Sequence, residues 1–220
     1  MDLTAKINEA IANQPPDELR RYIGASSIGR PCSREIWYAF SGIVGAKHPA
    51  QLKKTFDVGS QLEKLIISYV RLAGFMVAEP SHENNYLFVD DKEVPIFQGH
   101  LDGILLMNNE LPVILEIKTA KNSSFQKFQK HGLRLWSDAY WAQIHSYMGM
   151  SGYKRAVLLA MNKDTSELHH EWVDFDLAFY KELRMKALAI STIGEPPERI
   201  NRSAYYYLCQ NCQYKGICHE

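Results

Sequence analysis

The chain has 220 residues, 46% hydrophobic and 11% aromatic, which is enough to bury one sizeable core. Lys plus Arg and Asp plus Glu both number 25, so no overall field attracts polyanions and any contact with nucleic acid must come from local patches. Since no apolar run approaches the roughly 20 residues of a membrane span and the amino terminus lacks a signal-like segment, we expect a cytoplasmic protein without a membrane partner.

The amino-terminal part of the chain predicts helices. A helical pattern over residues 2–24 is interrupted by a proline pair, and a short helix is predicted over residues 32–40. The strongest pattern covers residues 56–72, where apolar residues recur at helical spacing until Gly74 ends the segment.

From Phe75 onward the pattern changes to strands, with a turn signal at residues 108–110. A polar, basic stretch then reads as a loop, and helices and strands alternate after it. Together these segments predict a mixed α/β fold with a central mixed sheet flanked by helices. The predicted strands are 75–80, 85–90, 94–107, 111–120, 155–162 and 169–175, the loop is 118–134, and the helices are 138–150 and 176–192.

Two carboxylates and an ammonium are predicted to meet in the strand region. Because side chains alternate along a strand, Glu116 and Lys118 share a face, and a short connection can bring Asp102 alongside. Glu and Lys are also common on solvated strand ends, so the pattern is weak alone. The surrounding residues are almost wholly apolar, however, and a buried carboxylate is costly without a partner. Oxygen ligands of this kind suit Mg²⁺, which favours a metal site.

Two helical pairs add to this constellation. Glu63 lies beside the apolar face of the strongest helix, although an ion pair with Lys64 or Lys53 would also explain it. Gln143 and Tyr147 are four residues apart and so share a helix face. A core tyrosine with a bystander glutamine is the alternative for that pair.

The four cysteines are split between the ends of the chain. Cys209, Cys212 and Cys218 cluster in the tail, whereas Cys32 lies near the amino terminus. In a reducing compartment such cysteines more often bind metal than form disulfides. The spacing favours an iron–sulfur cluster, with zinc as the alternative, and His219 is either a solvated terminal residue or a further zinc ligand.

Five motifs in chain order resemble those of the PD-(D/E)XK nuclease superfamily, in its RecB-like branch. The cysteine pattern is similar to that of its iron–sulfur members, which include AddB-type helicase nucleases and CRISPR-associated exonucleases of the Cas-four type. The resemblance covers nearly the whole chain. The motifs are Gly59-x-x-x-Glu63, Asp102, Glu116-x-Lys118, Gln143-x-x-x-Tyr147 and the group Cys32, Cys209, Cys212 and Cys218.

The resemblance implies a restriction-endonuclease-like core and specific roles for these residues. Lys118 is implied to be the catalytic lysine, with Gln143 and Tyr147 as a supporting motif. Many RecB-like nucleases have His at the position of Glu63, whereas λ-exonuclease-like members resemble this chain in having Glu. The implied ligands of Mg²⁺ or Mn²⁺ are Glu63, Asp102, Glu116 and the Ile117 carbonyl, and those of a 4Fe-4S cluster are Cys32, Cys209, Cys212 and Cys218.

We therefore expect a single nuclease domain over residues 1–220, with a core at about 50–192. An iron–sulfur lobe would combine residues 25–42 with residues 195–220. If Cys32 is the fourth ligand, such a lobe would pin both ends of the chain.

Contacts with DNA are predicted from a basic stretch that contains no acid. Phosphate contacts of this type fix position rather than sequence. His100, two residues before Asp102, is predicted to share its strand face and contact substrate. A solvated basic loop is the alternative. The candidate DNA-binding residues are Lys121, Lys127, Lys130, Arg134 and His100, with nearby aromatic residues Phe125, Phe128, Trp136 and Tyr140.

The sequence thus predicts a metal-dependent DNA exonuclease acting on single strands or DNA ends, in recombination, repair or CRISPR adaptation. Recombination or CRISPR adaptation proteins are candidate partners, and the host cytoplasm is the expected location if a phage encodes the chain. The alternative is a catalytically inactive protein that binds DNA ends or acts as a scaffold. The intact Asp102, Glu116 and Lys118 favour the enzyme.

Overall fold

The computed structural model describes residues 1–15, 21–79, 87–89, 96–107 and 111–220. The helices in this part of the chain are α1 Leu3–Ala12, α2 Ala25–Ile28, α3 Ser33–Phe40, α4 Ala50–Leu72, α5 Asn122–Trp136, α6 Asp138–Ser151, α7 Leu177–Thr192, α8 Tyr207–Gln210 and α9 Lys215–His219. The strands are β1 Ile23–Gly24, β2 Met76–Ala78, β3 Leu87–Val89, β4 Phe97–His100, β5 Gly103–Leu106, β6 Val113–Ala120, β7 Arg155–Asn162 and β8 Leu168–Asp174. None of the described helices is both long and apolar enough to cross a membrane.

The described strands form a central mixed sheet and a smaller one beside it. The central sheet has the order β2-β5-β6-β7-β8, in which β6 and β7 run parallel and the other neighbours are antiparallel. The smaller sheet has the order β1-β4-β3. This arrangement confirms the predicted mixed α/β fold with a central mixed sheet.

Strand β6 divides the hydrophobic interior into two clusters. Ile114 packs with α5, α6 and α7 on one face, whereas Leu115 and Ile117 pack with Ile66 and Ile67 of α4 on the other. Because β6 is covered on both faces, most of it is an almost continuous apolar run. The acid and the lysine that interrupt this run are therefore held inside the molecule.

Helices α4, α6 and α7 lie where the sequence predicts them. Helix α4 begins six residues earlier than expected, because residues 50–55 are mostly polar and show no apolar repeat. Ser137 caps α6 by accepting a hydrogen bond from the Tyr140 N–H, and Asp176 caps α7 in the same way through Phe179.

Three of the predicted segments are wrong in whole or in part. The helical pattern predicted over residues 2–24 ends in strand β1, Ile23–Gly24, and residues 16–20 lie outside the described residues. The basic stretch expected to be a loop contains helix α5, whose side chains Phe125, Phe128 and Leu133 are buried on one side. The numerous polar residues between them conceal that repeat, and Gly132, with φ of 75°, interrupts the helix.

The segment read as one strand over residues 94–107 is two strands, β4 and β5. They belong to different sheets and are separated by Leu101 and Asp102. The turn expected at residues 108–110 lies outside the described residues, as do parts of the strands expected at 75–80, 85–90 and 94–107.

Candidate active site

Three of the predicted catalytic residues come together where β5 and β6 meet, and a fourth, on α4, lies within electrostatic range of them. Glu116 on β6 is fully buried, and the ammonium of Lys118 contacts its Oε1. Asp102, in the bend before β5, accepts a hydrogen bond from the Ile117 N–H at 2.7 Å through Oδ2. Glu63 projects from α4 close enough for the charges of Asp102 and Lys118 to affect its ionisation. We call Glu63, Asp102, Glu116 and Lys118 the acid cluster.

Strand pairing explains how residues distant in sequence reach this point. Strand β5 runs antiparallel to β6 with Gly103 opposite Leu115, so Asp102 lies beside the middle of β6. Glu116 and Lys118 alternate with Ile117 and share one face of the strand, as predicted. The structure therefore brings together the acids that the sequence grouped by motif.

The carboxylates of the acid cluster hold their protons more tightly than ordinary side chains do. Burial, followed by the charge of Asp102, raises the pKa of Glu116 to about 8, although Lys118 opposes this shift. Burial and Asp102 likewise raise the pKa of Glu63 to about 7. The pKa of Asp102 is also raised, mainly by burial. Without a cation, the cluster thus carries less negative charge at neutral pH than three carboxylates would suggest.

Lys118 remains charged in this environment. Burial disfavours the ammonium, but Glu116 and then Asp102 more than offset that effect and raise the pKa of Lys118 above its ordinary value. The Nζ atom also lies 5.1 Å from the ring centre of Tyr140. The lysine can therefore donate hydrogen bonds but is a poor base.

The donor set of the acid cluster fits a hard divalent cation. Glu116 Oε2 is buried without a hydrogen-bond partner among the described residues, and a cation would satisfy it. No three His, Cys, Asp or Glu side chains in the described ranges form a group that could hold a metal ion as they stand. Ile117 contributes its N–H to Asp102, and the role of its carbonyl as a ligand stays a prediction.

Gln143 and Tyr147 form a buried pair on α6, as their spacing predicts. Gln143 Nε2 donates to Tyr147 Oη at 2.8 Å. Helix α6 packs against β6, and burial followed by the charge of Glu116 raises the pKa of Tyr147 well above its ordinary value. The pair can therefore fix the wall of the site.

The predicted DNA-binding residues have different surroundings. Lys121 precedes α5 at the end of β6, and Lys127 and Lys130 are exposed on α5. Arg134 is exposed but forms an ion pair with Asp138 at 2.5 Å. His100 is exposed at the end of β4, and it does not share a strand with Asp102 as expected. Contact of these five basic residues with DNA stays a prediction.

Phe125 and Phe128 are not available to stack on bases. Both side chains are fully buried, and Phe128 stacks on Trp136 with ring centres 4.7 Å apart. The aromatic residues of this segment instead fasten α5 to the core.

The four cysteines meet although they come from opposite ends of the chain. Cys32 lies at the start of α3, Cys209 lies in α8 and Cys218 lies in α9. All four are free thiols and line one cavity of about 20 Å³. Burial raises the pKa values of Cys209 and Cys212.

His219 is not the solvated terminal residue that the sequence favours. This histidine lines the same cavity, and its Nε2 is buried without a hydrogen-bond partner in the described part of the chain. The only sequence signal was its position next to Cys218.

Hydrogen bonds also hold the two ends together. Lys186 of α7 donates to the carbonyls of Ile28 and Arg30, just before Cys32. Arg34 donates to the Pro197 carbonyl at 2.8 Å. The segment leading to the cysteine tail is therefore fixed to α3 independently of any metal.

Known structures share this fold at low sequence identity. An alkaline exonuclease, LHK-Exo from Laribacter hongkongensis, is 15% identical over 85% of this chain and 90% of that chain, with a TM-score of 0.55. Its complex with dAMP gives a TM-score of 0.57 at 14% identity, with the same coverage. The structure of SSO0001 is 16% identical over 98% of this chain and 92% of that chain, with a TM-score of 0.56. Identities this low demonstrate a common fold.

The search of curated proteins finds no match. The family model described as the YqaJ-like viral recombinase domain matches residues 19–154. That range contains Glu63, Asp102, Glu116, Lys118 and the Gln143–Tyr147 pair, and it ends before the cysteine tail. The chain belongs to the YqaJ-like viral recombinase domain family.

Proposed function

We propose that this protein is a metal-dependent DNA exonuclease that hydrolyses phosphodiester bonds at DNA ends or in single strands. The observation that carries the proposal is the acid cluster, in which Glu116 is buried with an unpartnered oxygen beside the charged Lys118. Similarity to an alkaline exonuclease, and to the same protein bound to dAMP, supports this activity.

Each residue of the acid cluster has a distinct task in this proposal. Glu63, Asp102 and Glu116 would hold a Mg²⁺ or Mn²⁺ ion, which when bound would supply positive charge at the phosphate and favour ionisation of water. The Ile117 N–H holds the Asp102 carboxylate in place. Lys118 donates a hydrogen bond to the phosphate or the incoming water and stabilises the negative charge that develops.

Gln143 and Tyr147 have a positioning role in this proposal. Gln143 and Tyr147 are hydrogen-bonded to each other inside the protein, so neither side chain rotates freely. Their rigidity keeps the wall next to Glu116 at a constant distance from the strand.

The proposed pathway is DNA recombination. The family description, viral recombinase, favours it over CRISPR adaptation. Other recombination proteins would then be the natural partners.

End-labelled single strands and duplexes test the activity. With Mg²⁺ or Mn²⁺ we expect stepwise release of nucleotides from an end, and Asp102→Asn and Lys118→Met should each slow release roughly 10²-fold or more. Lys181→Gln changes an exposed lysine on α7 and should have no effect. A wild-type protein that binds DNA ends without cleaving them would support the scaffolding alternative instead.

We also propose that Cys32, Cys209, Cys212 and Cys218 bind a metal centre, within a single nuclease domain whose core spans about residues 50–192. The lobe around this centre would comprise residues 25–42 and 195–220. All four free thiols line one cavity, which supports the proposal, although no three of them are arranged among the described residues to hold a metal ion as they stand. The resemblance to iron–sulfur nucleases favours a 4Fe-4S cluster. His219, whose Nε2 is buried without a hydrogen-bond partner among the described residues and which lines the same cavity, would be a further donor to zinc.

Analysis of anaerobically purified protein separates the two centres. A brown protein that contains iron and sulfide has a cluster, whereas a colourless protein with one equivalent of zinc has the single ion. Absence of both metals, in protein that refolds with neither, would contradict the proposed centre.

A further inference from the structure

A basic groove lies outside the acid cluster, between the amino-terminal half of α4 and the turn that joins β7 to β8. Its volume is about 260 Å³. No acidic side chain of the described residues lines it. Its walls are formed by Gln51, Lys54, Thr55, Val58 and Lys163.

The turn that carries Lys163 is fastened to the end of the strand that bears Glu116 and Lys118. The Lys163 N–H donates to the Ala120 carbonyl at 2.8 Å, at the last residue of β6. The buried Asn162 donates to the side chain of Asn122 at 2.9 Å. The Asn122 N–H in turn donates to Asp164 at 2.8 Å. Lys163 is thus held at a fixed place relative to the site.

The two ammonium groups of the groove have spare hydrogen-bonding capacity. Lys54 Nζ donates to Asn8 Oδ1 at 2.8 Å, which uses one of its three donors. Lys163 Nζ has no hydrogen bond or ion pair within the described residues. Asp164, the adjacent acid, does not line the groove. Two like charges facing a groove without an acid favour a bound anion.

Helix α4 connects this groove directly to the acid cluster. Thr55, Gly59 and Glu63 are spaced four residues apart and lie on one side of the helix. A methyl group placed on Gly59 would lie 4.0 Å from Thr119 Oγ1, so α4 and the end of β6 are close at this point. From Thr55 to Glu63 the helix advances about 12 Å, at about 1.5 Å per residue. That length corresponds to roughly three or four nucleotides along one strand of a duplex.

We propose that this groove binds the phosphate backbone of the nucleic-acid strand that is cleaved at the acid cluster. The inference rests on the nuclease activity proposed above and adds a second contact region a few nucleotides from the reacting phosphate. Lys54 and Lys163 supply charge, and Gln51 and Thr55 supply neutral hydrogen-bonding groups. Such contacts fix the strand without reading its sequence.

The test is a comparison of DNA affinity for strands of different length. Fluorescent single strands of two to ten nucleotides are titrated with the wild type, Lys54→Gln and Lys163→Gln, with Ca²⁺ in place of Mg²⁺. The wild-type affinity should rise as strands grow past about four nucleotides, because longer strands reach the groove. Each variant should lose the increase in affinity with strand length. The negative slope of log affinity against log salt concentration should become shallower by about 0.7 for each lysine removed.

A matched control and a cleavage assay distinguish failure of the groove proposal from failure of the nuclease proposal. Lys181→Gln removes an exposed lysine of α7 and should bind like the wild type, and melting temperatures verify folding of each variant. If both groove variants keep the wild-type length and salt dependence while the wild type cleaves DNA, the groove proposal is overturned and the nuclease proposal stands. A wild type that neither binds nor cleaves DNA overturns both.

Discussion

Glu116 illustrates how a single residue links the fold to the chemistry. It is a fully buried carboxylate in an apolar strand, with one oxygen in contact with Lys118 and the other without a partner among the described residues. Burial and Asp102 raise its pKa to about 8. A residue that only stabilised the fold would be better replaced by an apolar one. Its presence is therefore best explained by a ligand that the folded protein receives.

Metal-free protein should lose stability as pH rises, because of Glu116. Its pKa is about 8 when folded and 4.5 as the ordinary value, so the folded state holds the proton more tightly. The contribution of Glu116 to the free energy of unfolding is therefore intact below about pH 4.5 and is lost as the pH rises from about 4.5 to about 8. At about 1.4 kcal/mol per pKa unit the loss reaches a few kcal/mol. Glu116→Gln should flatten the dependence of melting temperature on pH, and an unchanged slope would contradict the assignment.

Glu63 should make cation binding depend on pH near neutrality. Its pKa is about 7, and a cation must displace the proton, so Mn²⁺ affinity should increase as pH rises through 7 and level off above about 8. Calorimetric titration should show that Glu63→Gln binds Mn²⁺ more weakly than the wild type and that its Mn²⁺ affinity increases less as pH rises through 7. Asp57→Asn, an exposed acid on the same helix, is the control. Equal loss in both variants would argue against a specific role of Glu63.

At the scale of residues, the sequence predicts which side chains lie beside each other but not the groups that surround them. Strand alternation placed Glu116 beside Lys118, and helical spacing paired Gln143 with Tyr147. It did not reveal that the Ile117 N–H holds Asp102, or that His219 has a buried nitrogen. Those features depend on contacts between segments that no local pattern encodes.

At the scale of elements, regular apolar repeats were predicted well and interrupted ones were missed. Helices α4, α6 and α7 have clear patterns or caps and appear as expected. The sequence of α5 predicts a loop because lysines and other polar residues separate its buried Phe125, Phe128 and Leu133. The connection of β7 to β8 could not be linked to α4 either, since the groove between them joins residues far apart in the chain.

Packing between β4 and α6 should be sensitive to a single methyl group. A Cβ on Gly99 would lie 2.4 Å from Tyr147 Cε1 and 2.7 Å from the Ala25 side chain. Gly99→Ala should therefore lower the free energy of unfolding by about 1–3 kcal/mol. Cleavage should fall as well, because Tyr147 must move from Gln143. Chemical denaturation measures the first effect and an end-label assay the second.

Gly194→Ala provides the control for that substitution. A methyl group at Gly194 would meet no atom within 4 Å. It should leave both stability and cleavage near the wild-type values. Equal stability of the Gly99 and Gly194 variants would show that the contact with Tyr147 is looser than described.

At the scale of the whole molecule, the two ends of the chain are brought to one place. The cysteine motif predicted this meeting, and the common cavity is consistent with it. The hydrogen bonds of Lys186 and Arg34 that reinforce it were not evident from sequence, because they join side chains to carbonyls about 160 residues away.

Loss of one thiol should loosen both ends. If the cysteines bind a metal centre, Cys32→Ser should lower the melting temperature and expose the segment after residue 195 to proteases, because a clip across a long loop is removed. Ser41→Ala, a change at the end of α3 that leaves the thiols intact, is the control. Identical digestion of the Cys32 variant and the wild type would contradict a centre that joins the ends.

The central claim is that the acid cluster is a cation-dependent catalytic site for DNA cleavage. The most direct test removes metal from the protein with a chelator, adds Mn²⁺ back in steps and measures label released from end-labelled DNA. We predict no release without metal, a saturable rise as Mn²⁺ is added, and almost none at any concentration for Asp102→Asn. Release that persists in the chelator, or a wild-type rate in Asp102→Asn, would contradict the account.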